Sequence, residues 1–273
     1  MIPPVVGPDW LEARADAVLA DVRWYLDGRS GRHAYESGHL PGAVFVDLDT
    51  CLAGPPSPAA GRHPLPDPEA FAEAMGRLGI GDHSVVVAYD DAGGTVAARL
   101  VWMLRVLGGD AALLDGGIDA YPGRRETAVA GRPPARFSPR RWPADALAGI
   151  DEVTDPGLVV IDARDPARYR GEHEPVDPRA GHIPGARSLP CRENLDSAGR
   201  FLPADRLRDR FEAVGAGPKT VSYCGSGVTA CHNLLAMEHA GLGRGRLYPG
   251  SWSQYSADPD RPAEIGEPPT RTA

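Results

Sequence analysis

Short runs of aliphatic and β-branched residues alternate along this chain with stretches whose apolar positions recur at helical spacing. Strand patterns fall at 18–23, 85–89, 159–164 and 220–223, and helical patterns at 71–78, 95–107, 211–214 and 230–239. Strands separated by helices predict an α/β fold in which each sheet is mostly parallel and flanked by helices.

The pattern also repeats. Val18-Leu19-Ala20-Asp21-Val22-Arg23 matches Val159-Val160-Ile161-Asp162-Ala163-Arg164, each an apolar strand ending in Asp-x-Arg. Gly38-His39-Leu40-Pro41-Gly42-Ala43 matches Gly181-His182-Ile183-Pro184-Gly185-Ala186. Tyr89 and Tyr223 stand 134 residues apart, as do Gly117 and Ser251. So long a repeat is domain-sized and means duplication. The connector from about 122 is rich in proline, glycine and arginine and belongs on a surface. We divide the chain into domains at 1–140, which includes that connector, and 141–273.

A length of 273 residues accommodates two ordinary domains, and 42% hydrophobic with 24% charged residues fits a globular chain. The formal charge of −8 argues against a general nucleic-acid or anionic-membrane surface, so an anionic substrate must be drawn in by local cations. No apolar run is long enough to span a bilayer, and the N-terminus lacks a signal-peptide pattern. Four cysteines are too few for a disulfide scaffold, which makes a reducing cytoplasm the expected location. No Cys/His spacing suggests a metal site.

The chemistry concentrates at 220–231, Thr-Val-Ser-Tyr-Cys-Gly-Ser-Gly-Val-Thr-Ala-Cys. A strand stops at Cys224, Gly225 and Gly227 permit a tight loop, and a helix follows. Loop N–H groups and the positive end of the helix dipole hold an anion, and a cysteine placed there is expected to have a depressed pKa and act as a nucleophile. The bland alternative is a buried structural cysteine. In the first copy the matching position is Asp90, which cannot act as a sulfur nucleophile, so one active site per chain is expected, in the second half. Since one copy lacks the nucleophile, the shared His39/His182 and Asp21/Asp162 are read as structural. Thr229 is read as a helix cap and Cys231 as core; Cys51 and Cys191 fall in loops, where either is a candidate redox partner.

These landmarks resemble the two-domain rhodanese-type sulfurtransferases: tandem domains, the Asp-x-Arg strand end, Gly-His-[Leu/Ile]-Pro-Gly-Ala in each half and Cys224-Gly-Ser-Gly-Val-Thr-Ala. The resemblance implies two rhodanese-like domains, the first catalytically silent. The loop resembles the 3-mercaptopyruvate branch; the thiosulfate branch carries an Arg-Lys pair where this chain has Gly225-Ser226. Neutral residues there also suit a singly charged 2-oxo acid better than a dianion.

By that resemblance Cys224 takes sulfur from a small anionic donor to form a persulfide held by the loop residues Gly225, Ser226, Gly227, Val228 and Thr229. A thiol acceptor such as thioredoxin, or cyanide, removes it, and no cofactor is required. Arg168 matches the family's substrate-binding arginine, with Arg179 or Arg170 as a second. Ser226, His63 and Asp49 resemble the serine–histidine–aspartate relay of the mercaptopyruvate branch.

Three rivals remain open. Thiosulfate:cyanide sulfur transfer needs only a different donor. A phosphatase of the Cys-x5-Arg type needs an arginine where Ala230 stands. A non-catalytic rhodanese-like binding module would leave Cys224 unmodified by a sulfur donor.

Overall fold

The computed structural model describes residues 1–129 and 131–266. It contains nine strands among those residues, in two sheets whose every strand pair is parallel. The first sheet comprises β1 (Val5–Val6), β2 (Val18–Asp21), β3 (Val44–Phe45), β4 (Val85–Tyr89) and β5 (Asp110–Leu114), in the order β1-β5-β4-β2-β3. The second comprises β6 (Val159–Asp162), β7 (Arg187–Ser188), β8 (Thr220–Tyr223) and β9 (Arg246–Leu247), in the order β7-β6-β8-β9. Where β1 lines β5 in the first sheet, the second has only an isolated parallel bridge from Leu147 to Leu247.

The chain separates into two compact units. One holds Met1–Gly54, Leu65–Pro143 and Leu195–Leu202; the other holds Pro55–Pro64, Ala144–Asn194 and Pro203–Ala273. Each half therefore contributes a short segment to the unit built mainly by the other. The proline-rich connector lies on the first unit. Trp142 and Phe137 pack on Phe71, at ring-centroid distances of 5.3 and 5.6 Å, and the Trp142 indole donates to the Pro66 carbonyl at 2.9 Å.

In both units the central strand leads into the same kind of helix. β4 is apolar along its length and β8, Thr-Val-Ser-Tyr, is buried at every position, because parallel sheets are covered on both faces. The following helices, Ala98–Val106 and Ala230–His239, bury nearly their whole circumference. The repeated motifs explain one another. Arg23 Nη2 donates to Asp21 Oδ2 at 2.6 Å and to the Gly38 carbonyl at 2.8 Å; Arg164 Nη2 does the same with Asp162 at 2.6 Å and Gly181 at 2.7 Å. The Asp-x-Arg strand end thus clamps the Gly-His-x-Pro-Gly turn. His39 stacks on Tyr35 and His182 on Tyr169, each with its Nδ1 at 2.8 Å from that tyrosine's carbonyl oxygen.

Asp90 shows what the loop after the central strand is built to hold. Its Oδ1 accepts from the main-chain N–H of Ala92 (2.8 Å) and Gly94 (2.7 Å), and its Oδ2 from Val96 (2.8 Å) and Ala97 (2.9 Å). Four amides close on one carboxylate, and the residue is 1% exposed. An Asp90→Asn change keeps the shape but turns an NH2 group toward these donors. We expect it to cost about 3 kcal/mol of folding stability, since charge-assisted bonds are lost and amides are stranded. The shift of the denaturant midpoint against the unaltered protein measures it.

Candidate active site

The loop after β8 has a thiol where the first unit has the carboxylate. Gly227 takes φ +76°, as Gly93 takes φ +71° in the first unit, a left-handed turn that an L side chain adopts at a cost. A Cβ on Gly227 would also approach the Pro249 carbonyl oxygen to 2.6 Å. The turn aims the Gly227 N–H at the Cys224 sulfur, 3.1 Å away. Cys224 itself is 2% exposed, at the floor of the loop.

A second segment braces the loop from below. The Cys224 N–H donates to Ser251 Oγ at 3.2 Å, and that hydroxyl donates to the Tyr248 carbonyl at 2.9 Å. Trp252 N–H donates to the Cys224 carbonyl at 3.0 Å and Ser253 N–H to the Gly225 carbonyl at 2.8 Å. Ser251 is the one non-glycine residue among those described with a positive φ, at 53°. The first unit puts Gly117, with φ +59°, at the matching place. A buried serine kept in that conformation is an energetic cost located where Cys224 is held.

The segment Pro55–Pro64 supplies the groups above the loop. It folds back on itself through Ser57 and Gly61, whose main chains exchange bonds of 3.2 and 2.8 Å. Gly61 has φ +87° and lies so close to Gly250 that a Cβ would come within 2.6 Å of its carbonyl oxygen. Arg62 N–H donates to Ser253 Oγ at 3.0 Å. This seating brings the next two side chains over the loop. His63 Nδ1 lies 2.8 Å from Ser226 Oγ, both residues being buried. Arg62 Nη2 lies 3.0 Å from where a Cβ on Gly225 would stand, and Arg168 Nη1 and Nη2 lie 3.5 and 3.7 Å from it.

Two acids hold the arginines. Arg62 Nη1 pairs with Asp177 Oδ1, and Arg168 Nη2 with Asp177 Oδ2 at 3.0 Å. Glu174 accepts from Arg168 Nη2 at 2.7 Å and Nε at 3.2 Å, and from Arg164 Nη1 at 3.3 Å. Burial alone would push the Glu174 carboxyl up, but the Arg168 bonds and main-chain N–H groups hold it below the usual carboxylate range. At Asp177 burial wins, joined by the charge of Glu174, and its carboxyl is raised despite Arg62 and Arg168.

The remaining expected residues have other settings. Asp49 belongs to the first unit, where its Oδ2 accepts from the Trp24 indole N–H at 3.1 Å. Arg179 donates to the carbonyls of Tyr255, Ser256, Asp258 and Arg261 at 2.7–3.2 Å, which makes it a brace for the chain's last described turn. Arg170 pairs at the surface with Glu172 at 2.6 Å. The second arginine at the loop is Arg62, which sequence reasoning passed over. Its only sequence signal is its place between Gly61 and His63.

Thr229 stands at the helix N-cap but makes no side-chain cap bond. Cys191 is buried, in a 3₁₀ turn at Cys191–Asn194, rather than exposed in a loop, and burial pushes its thiol up to about 12. Cys51 ends the short helix Leu48–Cys51 and is half-buried. Cys231 is core, its thiol donating to the Gly227 carbonyl at 3.4 Å. None of the four cysteines is in a disulfide. Among the described residues no cluster of acids, histidines and cysteines is arranged for a metal ion, and no helix is long and apolar enough to cross a membrane.

Known proteins share this plan along the whole chain. The rhodanese-like domain family matches twice, at residues 7–123 and 145–258. The probable 3-mercaptopyruvate sulfurtransferase of Pseudomonas aeruginosa is 43% identical over 265 residues, covering 92% of this chain and 93% of its own. A putative thiosulfate sulfurtransferase of Mycobacterium tuberculosis is 36% identical over 266 residues, covering 94% and 93%. Among solved structures, the 3-mercaptopyruvate sulfotransferase SseA of Escherichia coli superposes with a TM-score of 0.80 at 31% identity, over 92% of this chain and all of that one. With two matched segments and two parallel sheets, this chain belongs to the rhodanese-like family in its tandem, two-domain form.

Proposed function

We propose that this protein is a sulfurtransferase that moves the sulfur of 3-mercaptopyruvate to a thiol or cyanide through a persulfide on Cys224. The observation that carries the reading is the juxtaposition of a thiol on the floor of a left-handed glycine loop with two guanidinium groups over Gly225. Asp90 at the equivalent place, engaged by four amides, supports a silent first domain, with catalysis assigned to the second. The relatives named for the same activity, from Pseudomonas aeruginosa and Escherichia coli, support the donor.

The Cys224 thiolate attacks the donor's sulfur, the sulfur–carbon bond breaks, and its electron pair leaves on the enolate of pyruvate. Loop amides, of which Gly227 N–H is already at hydrogen-bond distance from the sulfur, bind the persulfide anion. Arg62 and Arg168 grip the donor's carboxylate. Ser226, bonded to His63, supplies a hydroxyl through which a proton reaches the departing enolate. An acceptor thiol such as that of thioredoxin, or cyanide, then attacks the outer sulfur and restores Cys224. Cysteines held as thiols rather than disulfides suit a reducing cytoplasm. Thiosulfate is the second reading, favoured by a cation, Arg62, beside Gly225 and by the Mycobacterium tuberculosis relative's name.

Mass spectrometry of protein mixed with 3-mercaptopyruvate is expected to find one added sulfur on the Cys224 peptide and none on those of Cys191 or Cys231. The same mixture made with Cys224→Ser is expected to show none; an unmodified Cys224 peptide in the unaltered protein would favour the binding-module reading. Arg62→Met and Arg168→Met are each expected to lower kcat/KM for mercaptopyruvate by about 100-fold, the scale of a lost charge-assisted carboxylate contact. An unchanged value for either removes that arginine from the site.

Ser251 gives a test of how the thiol is held. Ser251→Ala keeps the left-handed strain and discards the bond to the Cys224 N–H, whereas Ser251→Gly discards both. We expect the glycine variant to be more stable than the alanine one by about 1 kcal/mol, and both to lose kcat. Thermal melts and single-turnover kinetics measure the two effects separately.

A further inference from the structure

The charges around the loop cancel. Arg62, Arg164 and Arg168 stand against Asp162, Glu174 and Asp177, three cations to three anions, in one connected set of ion pairs. The loop side chains from Gly225 to Thr229 are neutral. Asp162 and Glu174 have evident duties, since Asp162 fixes Arg164 to the strand end and Glu174 receives two main-chain N–H groups, those of Val176 and Asp177.

Asp177 differs from them. Each of its oxygens engages a guanidinium, Oδ1 on Arg62 and Oδ2 on Arg168, and its side chain is 2% exposed. It thereby takes Nη1 of Arg62 and shares Nη2 of Arg168. What remains facing Gly225 most directly is one nitrogen from each, Arg62 Nη2 and Arg168 Nη1. Two nitrogens on separate arms match the two oxygens of one carboxylate. They also occupy the space into which a side chain on residue 225 would project, so cations reach this spot from elsewhere in the unit. A carboxylate of the protein's own accompanies them.

We infer that Asp177 is the specificity-determining residue of this site, tempering the Arg62–Arg168 pair so that a singly charged 2-oxo acid is accepted and doubly charged thiosulfate is disfavoured. The inference rests on the sulfurtransferase reading above and adds to it the source of donor selection. A dianion entering beside Asp177 meets a carboxyl group set between the two guanidinium groups, in a cluster whose cations and acids are equal in number. Without that carboxylate the same two arginines present one uncompensated charge, which a dianion feels twice as strongly as a monoanion.

The test is Asp177→Asn, which keeps the shape and removes the charge. The ratio of kcat/KM for thiosulfate to that for mercaptopyruvate is expected to rise about ten-fold at low ionic strength, and the gain to shrink with added salt. An unmoved ratio, or an equal fall for both donors, overturns the inference and leaves Asp177 as a structural tether for the arginines. A second measurement needs no variant. In the unaltered protein, alkylation of Cys224 by the uncharged reagent iodoacetamide is expected to be slowed by pyruvate at a lower concentration than by sulfate. Protection by sulfate at an equal or lower concentration overturns the inference even if the variant does not fold. The two readings fail separately. A protein that turns over neither donor refutes the sulfurtransferase reading, and the alkylation measurement still decides whether charge is selected here; turnover of mercaptopyruvate with an unmoved ratio refutes only the role of Asp177.

Discussion

Convergence of main-chain amides on one point after a parallel strand is the constraint from which the site's geometry follows. In the first unit the point is filled by a carboxylate oxygen pair, and four N–H groups at 2.7–2.9 Å show how much negative charge the turn satisfies. In the second unit a sulfur sits there, with the Gly227 amide on it. Both turns place a left-handed glycine third after the filled position and lead into a buried helix. Duplication has thus kept a receptacle for charge and varied its occupant. A side chain that brings its own charge closes the receptacle, and one that gains charge during reaction uses it.

The receptacle holds an anion but does not choose among them; that falls to side chains brought from distant stretches. The short segment 55–64 brings Arg62 and His63, the helix Pro166–Tyr169 brings Arg168, and the turn between prolines 175 and 178 brings Asp177. Their positions rest on close main-chain approaches, such as Gly61 against Gly250, that tolerate no added atom. Shape at the loop and charge above it are therefore set by different parts of the chain.

That division also governs what could be read from the sequence. The two sheets, the helix at 230–239 and the Asp90/Cys224 contrast were legible because each is encoded locally and written twice. The tyrosines that end β4 and β8 likewise recur because each hydroxyl accepts a main-chain N–H from the neighbouring turn, Leu40 in one unit and Ile183 in the other. Arg62 was not legible: its role depends on a segment from the first half joining the second unit, and no periodicity records that. Ser251 was matched to Gly117, yet nothing in a serine's identity announces a left-handed backbone. Arg179 misled through nearness in sequence to a motif, since its guanidinium is consumed by four carbonyls. Cys191 misled in the opposite sense, because burial in a 3₁₀ turn leaves no mark in its neighbours' polarity.

The reciprocal loan of segments, 55–64 to one unit and 195–202 to the other, bears on how such a chain can be inherited. A gene cut between the repeats would yield a C-terminal half that keeps its thiol and loses Arg62 and His63. Neither half is then a portable module, and recombination that shuffles them singly carries away Cys224 without the arginine and histidine that stand beside its loop. The first half carries, in residues 55–64, a stretch that the second unit needs to be whole.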